Sequence, residues 1–296
     1  MTLLSRVLGF VRDMVLARLF GATYAADAFF VAFRIPNFLR RLFAEGAFSQ
    51  AFIPVLAEYK TQRSHAEVQA LVDRVAGTLA GVLLLVTAVC VLAAPLIVVV
   101  FAPGFSDEPE KFAVTQTMLR ITFPYLLFIS MAAFLGAILN TYGRFWVPAF
   151  TPVLLNLSLI GAALWASPHF KQPAVAVAWG VFAGGLLQLG FQLPHAARLG
   201  LLPRPRFAWH DSGVRRILLL MGPAIFGVSV SQINLMVDTI LASFLQTGSV
   251  SWLYYSDRLL EFPLGVFGIA LGTVILPHLS ERHAQGSGET FSNLIK

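Results

Sequence analysis

Charged side chains inside long apolar segments are the feature of this sequence that could do chemistry. The first apolar segment contains Arg6, Arg12 and Arg18 at intervals of six residues, with Asp13 beside the central arginine. Six residues advance a helix by about 600°, so successive arginines point about 240° apart and cannot share one face of a straight helix. Arg12, at mid-helix, is the hardest of the three to explain by contact with lipid headgroups, which makes it a candidate ligand for an anion.

A second charged patch interrupts the next apolar segment, where Arg40, Arg41 and Glu45 lie between hydrophobic runs. Arg41 and Glu45 are four residues apart and can form an ion pair on one helix face, which would support a cavity wall. That pairing leaves Arg40 without a partner in its own helix. Arg40 is therefore the better candidate for binding a substrate.

A third cluster, Asp257, Arg258 and Glu261, lies within about one turn of the last predicted helix. Two interpretations stay open: a structural charge network, or a cavity site in which the acids hold the guanidinium ready for an anion. Arginine suits a diphosphate because its planar fork can donate to two oxygens at once.

Asp238 lies in an apolar stretch one turn after Asn234. The two side chains could bind a coupling cation, although hydrogen bonding within the bundle is the more common role for such an acid. We expect no bound cofactor, and either a coupling cation or the membrane potential is the candidate energy source. The sequence contains no HExxH, Walker or GxSxG motif, so it has no hydrolase signature.

The elements that must position these charges are membrane-spanning helices. Hydrophobic residues make up 57% of the 296 residues and charged residues 12%, about half the share usual in soluble domains. Because lipid offers the backbone no hydrogen-bond partners, this composition favours a helical bundle. The net charge of +6 comes without an aromatic–basic nucleic-acid motif, so we expect no nucleic acid partner.

Eight apolar segments are long enough to span a bilayer, which needs about 20 residues. They cover residues 3–20, 26–58, 75–101, 112–140, 147–166, 174–196, 216–245 and 250–280. Prolines predict kinks at Pro36, Pro54, Pro124 and Pro263. The predicted fold class is therefore an all-α, polytopic helical bundle with eight transmembrane helices.

The loops between these spans, numbered by the span they follow, alternate in charge. The even-numbered loops and the C-terminal tail contain eleven basic residues: Lys60, Arg63, Arg74, Arg144, Arg198, Arg204, Arg206, Arg215, Arg216, Arg282 and Lys296. The odd-numbered loops contain two, Lys111 and Lys171. Because basic residues stay on the cytoplasmic side, the asymmetry predicts that both ends of this chain are cytoplasmic.

The start and the end of the chain resemble each other. Residues 26–38 align with residues 250–262, which places Arg34 over Arg258. A repeat after six helices keeps the same membrane orientation, as in transporters built from parallel repeats. The predicted division is an N-lobe of six helices over 1–200, a cytoplasmic linker over 201–215 and the start of a C-lobe over 216–296.

Three segments closely resemble the MurJ (MviN) family of bacterial lipid II flippases, in the MOP transporter superfamily. They are SRVLGFVRD (5–13), ADAFFVAFRIPNFLRRLFAEGAFSQAFIPVLAEYK (26–60) and SVSWLYYSDRLLEFPLGVFGIALGT (249–273). The resemblance implies alternating access between two lobes, around a basic cavity that receives the lipid diphosphate. It also implies that the cavity arginines are Arg6, Arg12, Arg40 and Arg258, and that the helix-two acid is Asp27.

The resemblance further implies a transporter, not an enzyme, in the bacterial inner membrane. Its substrate would be lipid II, moved from the cytoplasmic to the periplasmic leaflet, and its partners would be membrane lipids and the cell-wall synthesis machinery. The family has fourteen helices, of which this chain would contain the first eight. A gate between the first and eighth helices would admit the lipid tail.

Two alternatives stay open. One is another exporter of the same superfamily, for a lipid-linked oligosaccharide or a drug; a drug exporter should have an acidic cavity, and the basic excess here is modest. The other is a membrane enzyme that acts on polyprenyl diphosphates. Such an enzyme needs a nucleophile or clustered metal-binding acids at the membrane interface, which the sequence does not offer.

Overall fold

The computed structural model describes residues 2–261, apart from the side chains of residues 2–3, 43–45, 228 and 230–231. All regular secondary structure in this range is helical, which confirms the all-α prediction. Residues Met1–Leu253 form one compact unit, and Tyr254–Lys296 form a second, of which the helical residues 254–261 are described. The rest of the predicted eighth span, with Pro263, lies outside the described residues, and the division into lobes stays a prediction.

The first two helices, α1 (Thr2–Phe20) and α2 (Tyr24–Leu39), are joined by a tight turn. Gly21 has a φ of 56°, a left-handed conformation that glycine adopts without the steric cost of a Cβ atom. Thr23 then caps α2, because its hydroxyl accepts a hydrogen bond from the Ala26 amide at 3.4 Å.

The predicted second span is not a uniform α-helix. After α2 the chain forms a nine-residue π-helix, Arg40–Phe48, and then continues as α3 (Ser49–Gln62). The sequence predicted kinks at Pro36 and Pro54, whereas the change in winding falls between these prolines. π-Helical turns are rare and occur frequently at functional sites, and this one begins with the two arginines singled out in the sequence.

Two helices, α4 (His65–Leu92) and α5 (Ala94–Phe101), replace the single span predicted at 75–101. Ser64 and Glu67 form a reciprocal cap in which each side chain bonds the other residue's backbone amide, so α4 starts earlier than hydropathy indicates. A proline in the first turn of α5 lacks a backbone N–H, which separates the two helices.

The remaining helices follow the predicted spans closely. They are α6 (Pro109–Thr122), α7 (Tyr125–Thr141), α8 (Trp146–Gly161), α9 (Pro173–Ala197) and α10 (Ser212–Ser243). Within the described range, four helices are long and apolar enough to span a membrane. This count takes α6 and α7 together and extends α8 to His169. A fifth span is added if the two halves of α10, which are bent by 54°, form one span. The count of eight spans stays a prediction.

The even-numbered loops meet at one end of the first unit, here called the even-loop end. Lys60 Nζ donates to the Thr141 carbonyl at 2.6 Å, which joins loops two and four. The α9–α10 linker (residues 198–211) packs on the first turns of α4, where the Arg206 amide donates to the Asp73 carbonyl at 2.9 Å. These contacts group the loops as the charge alternation requires.

Loops one, three and seven meet at the other end, here called the odd-loop end. The Tyr24 hydroxyl donates to Glu110 Oε1 at 3.0 Å, and the Gly104 amide donates to Ser243 Oγ at 3.2 Å. The helices therefore run alternately between two ends, as in a membrane bundle. Which end faces the cytoplasm stays a prediction from the basic residues.

A substitution at Gly77 tests how tightly the α9–α10 linker packs on α4. A Cβ atom at this position would lie 2.3 Å from the backbone of Arg206, so Gly77→Ala must displace the linker. We expect faster tryptic cleavage after Arg206 and a lower Tm in detergent, consistent with roughly 1–3 kcal/mol of overpacking. Gly190→Ala, on α9 with open space around the added methyl, is the control. Equal cleavage rates in the two variants would contradict this packing.

Candidate functional site

Arg12 lies at the centre of α1 with 4% of its surface exposed. Its Nη2 atom donates to Asp13 Oδ1 at 2.6 Å, and its Nη1 atom donates to Asn156 Oδ1, on α8, at 3.0 Å. Asn156 in turn donates to the Ser5 carbonyl at 3.1 Å. Asp13 therefore neutralises its neighbour. The structure adds Asn156, which the sequence analysis missed because a lone amide inside an apolar span gives no charge signal.

The other arginines of α1 differ from Arg12 in burial. Arg6 is half-buried and makes no side-chain ion pair with any residue in the described part of the chain. Arg18 is exposed in the last turn of the helix, as expected for contact with headgroups. The three environments agree with the helical geometry, which prevents the three side chains from sharing one face.

The π-helix begins with Arg40 and Arg41, which are both half-buried. Arg40 Nε donates to Asn37 Oδ1 at 3.1 Å, and Asn37 Nδ2 donates to the Phe33 carbonyl at 2.8 Å. The prediction that Arg40 has no partner in its own helix was therefore wrong, because the neutral amide of Asn37, three residues earlier, orients its guanidinium. The Glu45 side chain lies outside the description, so its pair with Arg41 stays a prediction.

Arg258 belongs to the second unit. Its Nη1 atom lies 2.7 Å from Glu261 Oε2, and its guanidinium lies 5.6 Å from the centre of the Tyr254 ring. The predicted pairing of Arg258 with Glu261 is confirmed, and Asp257 is half-buried in the same turn. Because a carboxylate can orient an arginine for either role, the network and cavity interpretations both stay open.

Asp27 is the central residue of the odd-loop end, with 1% of its surface exposed. Its Oδ2 atom accepts a hydrogen bond from the Gly248 amide at 2.7 Å. Its Oδ1 atom accepts from the Ser251 amide at 2.9 Å and from the Ser251 hydroxyl at 2.6 Å. These amides begin the helical segment that starts at residue 249, so the carboxylate caps a helix N-terminus, where negative charge is favoured.

Lys111 supplies the opposite charge. Its Nζ atom lies 3.3 Å from Asp27 Oδ2 and 3.3 Å from Glu108 Oε1, although only 2% of the side chain is exposed. The ammonium also lies 4.2 Å from the centre of the Phe105 ring. The sequence analysis treated Lys111 only as a loop charge, because a lysine in an acidic loop is usually solvated.

Tyr24 extends this cluster toward the solvent. The hydrogen bond that its hydroxyl donates to Glu110 raises the pKa of Tyr24 above its ordinary value, with smaller contributions from burial and the carboxylate charge. The phenol therefore stays protonated, and remains a donor, to a higher pH than an ordinary tyrosine does. Loops one and three are joined by this contact as well as by Asp27 and Lys111.

Arg34 contacts α10, and Asp238 lies on α10. Arg34 Nη1, on α2, donates to Thr239 Oγ1, on α10, at 2.7 Å. Asp238 is exposed on α10. Among the residues that the structure describes, no group of three or more His, Cys, Asp or Glu side chains is arranged to hold a metal ion. A cation at Asp238 stays a prediction.

The fold and these charges define a class: helical membrane proteins with charged side chains buried inside the bundle, as polytopic transporters have. The family profile described as lipid II flippase MurJ matches residues 16–296. This chain therefore belongs to the MurJ family, which confirms the resemblance found in the sequence.

Individual relatives agree with this assignment. The chain is 54% identical over its full length to a probable lipid II flippase MurJ of Haemophilus influenzae, and 47% identical over 99% of its length to the lipid II flippase MurJ of Burkholderia cenocepacia. A solved structure of a lipid II flippase MurJ in an inward closed conformation is similar over 96% of this chain, with a TM-score of 0.80 and 29% identity. The chain spans 59%, 58% and 58% of these proteins, respectively.

The role of the Asp27–Lys111 pair in closing the odd-loop end can be tested by the access of a reagent to a buried residue there. Lys111→Met removes the counter-charge while retaining a long apolar side chain, which leaves Asp27 buried without a cation. Cys90, the single cysteine of the chain, is first replaced by Ser, and Val250→Cys is introduced at a position that is 1% exposed. We expect this new cysteine to react several-fold faster with a water-soluble thiol reagent in the Lys111→Met variant than in the protein that retains Lys111.

Lys171→Met is the matched control, because Lys171 is the other basic residue of the odd-numbered loops and is exposed. Labelling rates that are equal in the two variants would show that Lys111 does not hold this end closed. A Tm measurement on each variant separates local opening from unfolding.

Proposed function

We propose that the protein containing this chain is a lipid II flippase, which moves its substrate from the cytoplasmic to the periplasmic leaflet by alternating access. Membership of the MurJ family, with a match to relatives over the full length of this chain, is the observation on which the proposal rests. The substrate diphosphate would bind to Arg6, Arg12, Arg40 and Arg258. Arg41, Glu45, Asp257 and Glu261 would orient these arginines or line the cavity.

Arg12 supports this proposal by its environment. Keeping a guanidinium inside an apolar bundle requires compensation, and here Asp13 and Asn156 provide it at 2.6 and 3.0 Å. A diphosphate oxygen could take the place of the neutral Asn156 without leaving any charge unpaired. Hydrogen bonds to charged groups contribute about 1.5–3 kcal/mol each, enough to select an anion.

The odd-loop end supports the alternating-access part of the proposal. Three hydrogen bonds to Asp27 and the ion pair with Lys111 hold loops that are far apart in sequence. Opening this end must break those contacts, so a substrate can drive opening only if it binds the open state more tightly. On this proposal the arginines receive the headgroup while Asp27 keeps the periplasmic end closed.

The location and partners are part of the same proposal. The protein would be a multi-pass protein of the bacterial inner membrane, with both ends of this chain in the cytoplasm and the odd-loop end in the periplasm. Its partners would be lipid II, membrane lipids and the cell-wall synthesis machinery. A coupling cation, with Asp238 as a candidate ligand, or the membrane potential would supply the energy.

The proposal is tested in a chimera in which this chain replaces the matching part of the Haemophilus influenzae relative. We expect the chimera to rescue cells depleted of their own flippase. Arg40→Ala, Arg258→Ala and Arg12→Lys should each abolish rescue. Arg12→Lys keeps the charge against Asp13, so the variant folds, but it loses the planar fork that binds two oxygens.

Arg144→Lys is the control, because Arg144 is an exposed loop arginine and should tolerate the change. Membrane levels of every variant are measured by immunoblot. Full rescue by Arg12→Lys, Arg40→Ala and Arg258→Ala at normal levels would refute the site. Failure of the unsubstituted chimera, present at normal levels, would refute the function.

A further inference from the structure

An apolar groove lies between α4, α7 and α10 in the first unit. Its volume is about 150 Å³, the size at which a dry apolar cavity accepts a benzene-sized guest. Val82 on α4, Leu126 on α7 and Ile217 on α10 line it. It is partly open, and Val82 is 37% exposed, so a ligand can enter from outside the bundle.

Polar groups are scarce in this groove. Of the side chains that line it, only Thr78 and Ser130 have a polar atom. Thr78 Oγ1 is engaged, because it donates to the Arg74 carbonyl at 2.9 Å and accepts from the Ala208 amide at 3.3 Å. Ser130 Oγ is buried without a hydrogen-bond partner among the described residues. Such a lining favours a hydrocarbon guest over water.

The α9–α10 linker forms a basic rim beside the groove. The Arg204 amide donates to Asp73 Oδ1 at 2.8 Å, and the Arg206 amide donates to the Asp73 carbonyl at 2.9 Å. The Ala208 amide donates to Oγ1 of Thr78, a groove residue, at 3.3 Å, which fixes the linker backbone beside the groove, while the side chains of Arg204 and Arg206 are exposed.

The cations of this rim are available for a ligand. Arg204, Arg206 and the exposed Arg215, next to groove residue Val214, form no side-chain ion pair within the described part of the chain. By contrast, Arg74 pairs with Asp211 and Arg216 with Glu58. Three unpaired cations next to an apolar groove match an anionic headgroup that is linked to a hydrocarbon chain.

Two aromatic residues of the linker indicate how deep in the bilayer this rim lies. Phe207 and Trp209 are 69% and 45% exposed, and the Phe207 ring lies 3.3 Å from the position of a Cβ atom on Gly81 of α4. Trp and Tyr side chains concentrate where hydrocarbon meets headgroups, which applies to Trp209. The arginines of the rim would then lie at the level of lipid phosphates, with the groove below them.

We propose that this groove is a binding site for an anionic phospholipid of the surrounding bilayer. A segment of one acyl chain, of about the volume of benzene, occupies the space between α4, α7 and α10, and the phosphate contacts Arg204, Arg206 and Arg215. The site is separate from the proposed flippase arginines, none of which lines the groove. It therefore concerns lipid binding and does not depend on transport.

The test is lipid retention by the purified chain in detergent, measured by native mass spectrometry with added phosphatidylglycerol or phosphatidylcholine of matched chains. We expect one phosphatidylglycerol to stay bound where phosphatidylcholine does not. Arg204→Gln, Arg206→Gln and Arg215→Gln should each weaken phosphatidylglycerol binding about fivefold. Val82→Trp should fill the groove and remove the bound phosphatidylglycerol.

Matched controls distinguish the site from general lipid contact. Arg144→Gln removes an exposed arginine of loop four, and Val89→Trp adds the same ring on α4 at a 53% exposed position that does not line the groove. Both should retain phosphatidylglycerol. Equal retention of the two phospholipids, or retention unchanged by Val82→Trp, would overturn the proposal. Retention of a polyprenyl phosphate in place of phosphatidylglycerol would also overturn it and assign the groove to the substrate tail.

Discussion

The burial of charge inside an apolar bundle is the constraint on which this structure depends. A charged group that leaves water must find an opposite charge or several hydrogen bonds, and removing one partner leaves the other buried at high cost. Arg12 meets this requirement with Asp13 and Asn156, which fixes α1 against α8. Asp27 meets it with Lys111 and two backbone amides, which fixes α2 against α6 and the segment at residues 248–251.

These two networks differ in what they join. Arg12 forms an ion pair with its neighbour in sequence, Asp13, and a hydrogen bond with the neutral Asn156 of another helix. Asp27 and Lys111 belong to different helices, so separating them separates two charges. Breaking the Asn156 contact costs about one hydrogen bond, whereas opening the odd-loop end costs an ion pair and three hydrogen bonds. On the proposed function, the Arg12–Asn156 contact is the easier one to exchange for substrate, and the odd-loop end is the more costly one to open.

Hydropathy located most helices because each segment that must lie in lipid needs about 20 apolar residues. The spans predicted at 112–140 and 174–196 agree closely with the observed helices Pro109–Thr141 and Pro173–Ala197. Where the boundaries were wrong, as at the start of α4, polar caps and a proline decided them. These features are local, and a search for caps would have found them. The π-helix at Arg40 had no such signal, since the sequence shows only prolines on either side.

The sequence by itself determined the helical class, the alternation of the loops and the family, and it singled out Arg12, Asp13 and Asp27 among the buried charges but not Lys111. Helical spacing brings Arg258 and Glu261 together, because residues three apart are neighbours on a helix surface, whereas Arg12 and Asp13 are adjacent in the sequence. Only the tertiary structure decided the pairs that join distant segments, Arg12 with Asn156 and Asp27 with Lys111 and Ser251. The reason is physical: such pairs depend on which faces of two helices meet, and an apolar span shows almost the same hydropathy on every face.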